Sequence, residues 1–276
     1  GVQGSPGHLF LFASLRIFYL ICMNHEKKRF MKMPLLLLLC LFMENNPDFV
    51  KQQKNYPRVR NAYQAKETLL RQQLEKAGLS FDNIHILITA YKQEGVLNIY
   101  AKAPEDAQYK QVTTYRICAR SGHLGPKRRQ GDCQVPEGFY HINHFNPTSN
   151  YHLSLMINYP NSSDRLKSKA SNLGGSICIH GNCVTVGCLP MTDDKIKEIY
   201  LYAVQARQCG QKNIPVYIFP FKFTDQKVKQ FKDTYKAYPF ILDFWDNLRE
   251  GHDLFIKELK ELNVSVDRLG NYLFTK

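Results

Sequence analysis

The sequence has no apolar run of the roughly 18 to 20 residues that a membrane-spanning helix needs. Leu9 to Met23 is interrupted by Arg16, and the next candidate, Leu35 to Met43, is shorter. A polytopic helical membrane protein is thereby excluded. Neither common glycine-rich phosphate loop is present, which withdraws support from nucleotide chemistry, and there is no tandem repeat or low-complexity tract. Cys178, Cys183 and Cys188 follow one another at four-residue gaps, but the one-residue gap from Cys178 to His180 does not fit the knuckle of a structural zinc site.

What is present is a chain of 276 residues, 44% hydrophobic and 22% charged, able to bury a sizeable core in one large domain or two small ones. Thirty-seven Lys and Arg against 24 Asp and Glu leave a net charge of +13. That excess favours an anionic partner: nucleic acid, a membrane surface or an acidic polymer. Charge alone does not choose among them.

Near the start, the basic cluster Lys27, Lys28, Arg29 and Lys32 precedes the Leu-rich run Leu35 to Met43. Basic first and apolar second is the order of a secretory signal. Residues 1–45 are therefore read as a leader, with translation starting at Met23, Met31 or Met33. No small-x-small cleavage site follows, and Cys40 is a candidate lipid acceptor. The competing reading of Leu35 to Met43 is a short buried core segment. Of eight cysteines, Cys22 and Cys40 fall in the leader and six in the body. One free nucleophile among the six leaves at least one more unpaired, so a dense disulfide framework is not expected.

In the body, apolar and small residues Ala62, Ala65, Leu69, Leu70 and Leu74 recur at helical spacing over Asn61 to Ala77, and Gly78 suits the helix end. Ile84 to Tyr91, Val96 to Ala101, Gln111 to Ala119, Gly138 to His141 and Leu153 to Asn158 read as short strands. Thr192 caps a helix running to Cys209, and Ile214 to Phe221 is a further strand. Asp225 to Leu262 reads as helical, and Val264 to Phe274 as a closing hairpin. The basic run Lys127, Arg128 and Arg129 lacks the aromatic interleaving of a single-strand binder.

The densest chemistry lies in Ser176 to Met191. Alternation puts Ile177 and Ile179 on one strand face and Ser176, Cys178 and His180 on the other. A turn at Gly181 and Asn182 with a return strand over Val184 to Val186 brings His180 toward Cys188, and Gly187 lets the backbone bend to expose the thiol. An imidazole beside a thiol takes its proton and holds the thiolate, which is the requirement for nucleophilic acyl transfer. Backbone N–H groups around Gly187 and Cys188 are candidate oxyanion donors, and the Gly181 carbonyl is a candidate to orient the imidazole. The rival readings are a zinc site of Cys178, His180, Cys183 and Cys188, and an inert core thiol at Cys188.

The phrases IHGNCVTVGCLPMTD, GDCQVPEGFY, FNPTSNYHLSLMINYPNSSDR and FWDNLREGHDLF together resemble the YkuD-type L,D-transpeptidase catalytic domains, and specifically their YafK-like branch, from about Asn83 onward. The resemblance implies an α+β fold with a mainly β catalytic domain over residues 81–223. A helical lead-in over 46–80 and a C-terminal helical extension with hairpin over 224–276 flank it. It implies a cysteine acyltransferase or peptidase of the cell envelope, with Cys188 as nucleophile, His180 as base and Gly187 before the cysteine. The widespread pattern Ser-His-Gly-Cys is here Thr185, Val186, Gly187 and Cys188, so the second histidine is absent. That departure points to the hydrolytic side of the branch, trimming stems or releasing a peptidoglycan-linked lipoprotein, with cross-linking as the alternative.

Arg165 is the cation expected on a stem-peptide carboxylate, with Tyr140 and His144 as further pocket candidates. No cofactor, no metal and no nucleic-acid partner is expected. Membrane contact is expected only through the signal or a lipid anchor, in the periplasm or cell envelope. A non-catalytic peptidoglycan-binding module is the rival from another class.

Overall fold

The computed structural model describes residues 48–275; the expected leader, with the Leu35 to Met43 run, the candidate start methionines, Cys22 and Cys40, lies outside the described residues. Eight strands form one sheet: β1 (His85–Tyr91), β2 (Val96–Lys102), β3 (Lys110–Arg116), β4 (Gly138–Asn146), β5 (Ser154–Ile157), β6 (Cys178–His180), β7 (Leu189–Pro190) and β8 (Ile214–Phe219). Their order is β3-β2-β1-β8-β4-β5-β6-β7. The β1–β8 and β6–β7 pairs are parallel and the remaining neighbours antiparallel. β9 (Asn263–Val266) and β10 (Tyr272–Thr275) make a separate hairpin, as expected. The fold is α+β, with a mainly β centre.

Among the described residues, six helices accompany the sheet: α1 (Phe49–Lys54), α2 (Pro57–Lys76), α3 (Ser162–Lys167), α4 (Asp193–Gln208), α5 (Asp225–Thr234) and α6 (Pro239–Glu258). β1 and β8 are apolar on both faces because both faces are covered. Ile86, Ile88 and Ala90 of β1 share a core with Leu70 and Leu74 of α2 and Ile196 and Ile199 of α4. The intervening Leu87 and Tyr91 join an aromatic core with Phe219, Phe231 of α5, and Trp245 and Phe255 of α6. The strand period of two thus sorts one strand into two cores. Among the described residues no helix is long and apolar enough to cross a membrane.

α4 begins where its cap predicts: the Thr192 hydroxyl accepts from the Lys195 N–H at 3.2 Å, and Asp193 and Asp194 occupy the positive end. Three expectations are corrected. Asp225 to Leu262 is not one helix; it breaks at Tyr235–Tyr238 and restarts at Pro239, whose missing N–H is tolerated at a first helical position. The N-terminal helix starts at Pro57 rather than Asn61 and is preceded by α1. Its inward stripe runs through Val59, Ala62, Tyr63, Leu70 and Leu74, while Leu69 stays outside. Val184 to Val186 is a loop, with both valines exposed, and the returning strand is β7.

Candidate active site

The parallel pairing of β6 and β7 builds the site. Ile179 lies opposite Leu189 and His180 opposite Pro190, so the chain leaves β6 at His180, loops back, and re-enters with Cys188 beside Cys178. Two glycines make this path possible. A Cβ at Gly181 would sit 2.8 Å from the Tyr151 carbonyl oxygen, and one at Gly187, where φ is +106°, 2.9 Å from that of Gln134. Neither obstacle is a flexible side-chain end.

Side chains then pin the loop. Asp193 accepts from the Asn182 N–H at 2.8 Å, and the Thr185 hydroxyl accepts from the Cys188 N–H at 2.9 Å while donating to the Cys188 carbonyl at 3.0 Å. Ser121, on the segment after β3, accepts from the Gly187 N–H at 2.7 Å. A disulfide joins Cys183 to Cys118, with Cα atoms 5.4 Å apart. Cys183 is thus unavailable to the four-ligand zinc set.

His180 is buried, and Nδ1 lies 2.6 Å from the Gly181 carbonyl oxygen. A proton on Nδ1 donated to that carbonyl leaves Nε2 as the nitrogen available to the Cys188 thiol. Burial alone would lower the His180 pKa, but the bonds to Cys188 and to the Gly181 carbonyl raise it above its ordinary value. The Tyr151 ring lies over the imidazole, centroids 4.6 Å apart and planes at 36°. Arg58 of α2 holds the turn behind it, donating to the Ser149 carbonyl at 2.5 Å and the His152 carbonyl at 2.7 Å.

The Cys188 sulfur is the focus of these groups. The neighbouring Cys178 side chain is the main cause that holds the Cys188 pKa well below the thiol range, its own sulfur lying 3.4 Å from the Ser176 carbonyl oxygen. Burial opposes the effect, while His180 and the Cys178 N–H, 3.4 Å from the sulfur, reinforce it. Cys178 is pushed up in return, by the neighbouring Cys188 and by burial. An imidazole with raised pKa against a thiol with lowered pKa is the pattern of a thiolate–imidazolium pair.

The thiol borders a cavity of about 320 Å³, walled by the segment from Arg120 to Leu124, by Lys92 and Gly95, and by Phe231 and Tyr235 at the end of α5. Lys92 is buried and donates to Glu137 at 2.9 Å and to the Gly125 and Val135 carbonyls at 2.8 Å each, so its charge is offset. Arg120 has no acidic partner among the described residues. It packs against Gly95, where a Cβ would come within 2.6 Å of its guanidinium.

The structure brings His180, Gly181, Gly187 and Cys188 together and leaves the other candidates elsewhere. Tyr140 is buried, its hydroxyl lying 3.0 Å from the Asp164 carboxylate, to which it donates, and 3.1 Å from the Glu137 carbonyl, so it is committed to the core. Arg165 is exposed on α3 and His144 exposed on β4, and neither lines the cavity. The N–H groups of Gly187 and Cys188 are taken by Ser121 and Thr185, which corrects their expected oxyanion role. Sequence reasoning missed Arg120, Ser121 and Tyr151. Their partners lie far along the chain and no local spacing marks them.

The L,D-transpeptidase catalytic domain model, YkuD, matches residues 96–218. YafK of Escherichia coli strain K12, provisionally named an L,D-transpeptidase, is 39% identical over 193 residues, covering 69% of this chain and 74% of that protein. Its counterpart in Escherichia coli O157:H7 aligns equally. Among solved structures, the helical cell shape determining protein Pgp2 of Campylobacter jejuni aligns at 18% identity and a TM-score of 0.41, over 67% of this chain and 74% of that one. Bd1075 of Bdellovibrio bacteriovorus aligns at 18% identity and a TM-score of 0.35, over 66% and 74% respectively. The family match across most of the sheet and the identity to YafK agree: this chain belongs to the YkuD family of L,D-transpeptidase catalytic domains.

Proposed function

We propose that Cys188 is the nucleophile of an acyl transfer on peptidoglycan stem peptides and that water resolves the thioester, making this protein an L,D-specific hydrolase. The observation that carries this reading is the His180 imidazole, oriented by the Gly181 carbonyl, and the Cys178 N–H set around one sulfur that borders a cavity. His180 takes the thiol proton, the thiolate attacks the carbonyl carbon at a diaminopimelate-containing bond, and the imidazolium returns the proton to the leaving amine. Water then attacks the thioester with His180 as base. No cofactor takes part. Arg120, in place of Arg165, holds a carboxylate of the stem by paired hydrogen bonds.

Hydrolysis over cross-linking is argued from Val186, which stands where the widespread pattern has a second histidine. A transferase must hold an incoming amine and shield the thioester, whereas a hydrolase has only to admit water. The Cys118–Cys183 disulfide supports an oxidising compartment, and with it export to the periplasm or cell envelope. A peptidoglycan-linked lipoprotein is the proposed macromolecular substrate.

The test is a competition. Purified protein is incubated with stem-peptide donor, free or lipoprotein-linked, in the presence of excess diaminopimelate-bearing acceptor, and products are quantified by mass spectrometry. Shortened or lipoprotein-free muropeptide is expected to dominate and to vanish with Cys188→Ala. Each 1.4 kcal/mol between the two barriers shifts the ratio about tenfold. Predominant cross-linked dimer overturns the hydrolase reading; turnover by Cys188→Ala overturns the nucleophile.

A further inference from the structure

A tetrahedral intermediate needs hydrogen-bond donors where its oxygen becomes negative, and losing one such donor typically costs ~10²–10³ in turnover. The backbone N–H groups of Gly187 and Cys188 are already bound, at 2.7 Å to the Ser121 hydroxyl and at 2.9 Å to that of Thr185. The Thr185 proton is also used, on the Cys188 carbonyl at 3.0 Å. Ser121 differs. A hydroxyl has one proton and two lone pairs. Gly187 takes a lone pair, and among the described residues the Ser121 proton has no acceptor. Ser121 lines the cavity that Cys188 also lines, so that free donor sits beside the nucleophile.

We infer that the Ser121 hydroxyl is the oxyanion donor for acylation at Cys188, an assignment that rests on the nucleophile reading above. The Gly187 N–H fixes the oxygen in place and polarises its O–H, which strengthens it as a donor. As the thiolate forms the C–S bond, the carbonyl π pair moves onto oxygen and is held by Ser121, which keeps its proton. The pair returns to re-form C=O as the C–N bond breaks, and the amine leaves with the proton of the His180 imidazolium. Ser121 ends unchanged and repeats the role when water attacks.

A residue that only anchored the Gly187 bend would affect every reaction of Cys188 alike. An oxyanion donor would not. Iodoacetamide alkylates the thiolate by displacing iodide at a saturated carbon, with no oxyanion, whereas a stem-peptide or strained-lactam acyl donor passes through one. For Ser121→Ala, which also frees the Gly187 N–H, alkylation is expected to fall by less than about tenfold, while acylation falls about 10²–10³-fold. Ser121→Thr, which keeps the hydroxyl, is expected to recover most of that loss. Equal losses in alkylation and acylation, unimpaired acylation, or failure of Ser121→Thr to recover it would each overturn the assignment. Failure of the nucleophile reading shows separately, as turnover by Cys188→Ala.

Discussion

The Cys178 N–H points at the Cys188 sulfur from 3.4 Å, although the two residues are ten positions apart on a chain that leaves the strand and returns. The parallel register of β6 and β7 places them side by side, so Cys178 offers its amide to the sulfur while its side chain, 3.4 Å from the Ser176 carbonyl oxygen, lies next to it. The neighbouring Cys188 and burial push the Cys178 pKa up, so it keeps its proton. It is a positioning residue for the thiolate.

Replacing Cys178 with Ala should therefore raise the Cys188 pKa. A hydrogen bond to a charged group contributes about 1.5–3 kcal/mol, less for a weak S–H donor, so a displacement of ~1 pH unit is expected. The direction follows from the sign: the donor favours thiolate, and without it thiolate forms only at higher pH. The acid limb of iodoacetamide alkylation against pH reads this directly. Cys178→Ser should keep the limb near its wild-type place, and a limb unmoved in Cys178→Ala would refute the coupling.

Reduction of Cys118–Cys183 should loosen the loop without removing its chemistry. The bond closes a separation of 65 residues, for which the chain-entropy model gives about 4 kcal/mol at most. Cys183→Ala is expected to lower the urea midpoint and to weaken turnover moderately, while Cys188→Ala abolishes it. An unchanged midpoint would mean that the loop is held by Thr185, Asp193 and Ser121 alone.

Much of this fold was legible because β1, β2 and β8 carry apolar residues at strand spacing and α4 carries its own cap and stop. Val184 to Val186 misled for a physical reason: β-branched residues suggest a strand, yet these are exposed and the loop is held by side-chain bonds and a disulfide. β7, at two residues, is too short to show a period. That His180 and Cys188 flank a reversal could be read from spacing. That Ser121 reaches Gly187, 66 positions away, could not, since a long-range contact leaves no local pattern. Arg165 was favoured by the resemblance, but α3 displays it away from the cavity.

Glu137 should prove to be the anchor of the cavity wall. It is fully buried and accepts from Lys92 at 2.9 Å, the Gly125 N–H at 2.8 Å and the Trp245 indole at 2.8 Å, tying α6 to the segment behind Arg120. Removing one partner of a buried pair leaves an uncompensated charge, at a cost of about 3–5 kcal/mol. Glu137→Ala should lose that much in urea unfolding, and Trp245→Phe, which deletes one donor, about 1–3 kcal/mol. Losses within experimental error for both variants would show that the network does not hold the wall.

Asp164 should make stability fall as pH rises through the mildly acidic range. Its carboxylate is buried and accepts from Arg128 at 2.9 Å, Tyr140 at 3.0 Å and the Asn161 N–H at 3.1 Å, yet burial outweighs these and raises its pKa to about 6. The unfolded chain titrates near the ordinary value of about 3.9. Between these values the folded state binds more protons than the unfolded one, so stability declines with pH across the window and levels off above it. The span corresponds to an order of 2–3 kcal/mol. Asp164→Asn does not titrate and keeps groups that can face Arg128 and Tyr140, so its unfolding free energy should lack this decline. Denaturant unfolding of both proteins at steps from pH 4 to pH 7 measures the difference. A gap between them that stays constant across that window would show that Asp164 is already ionised at its acid end, held so by Arg128.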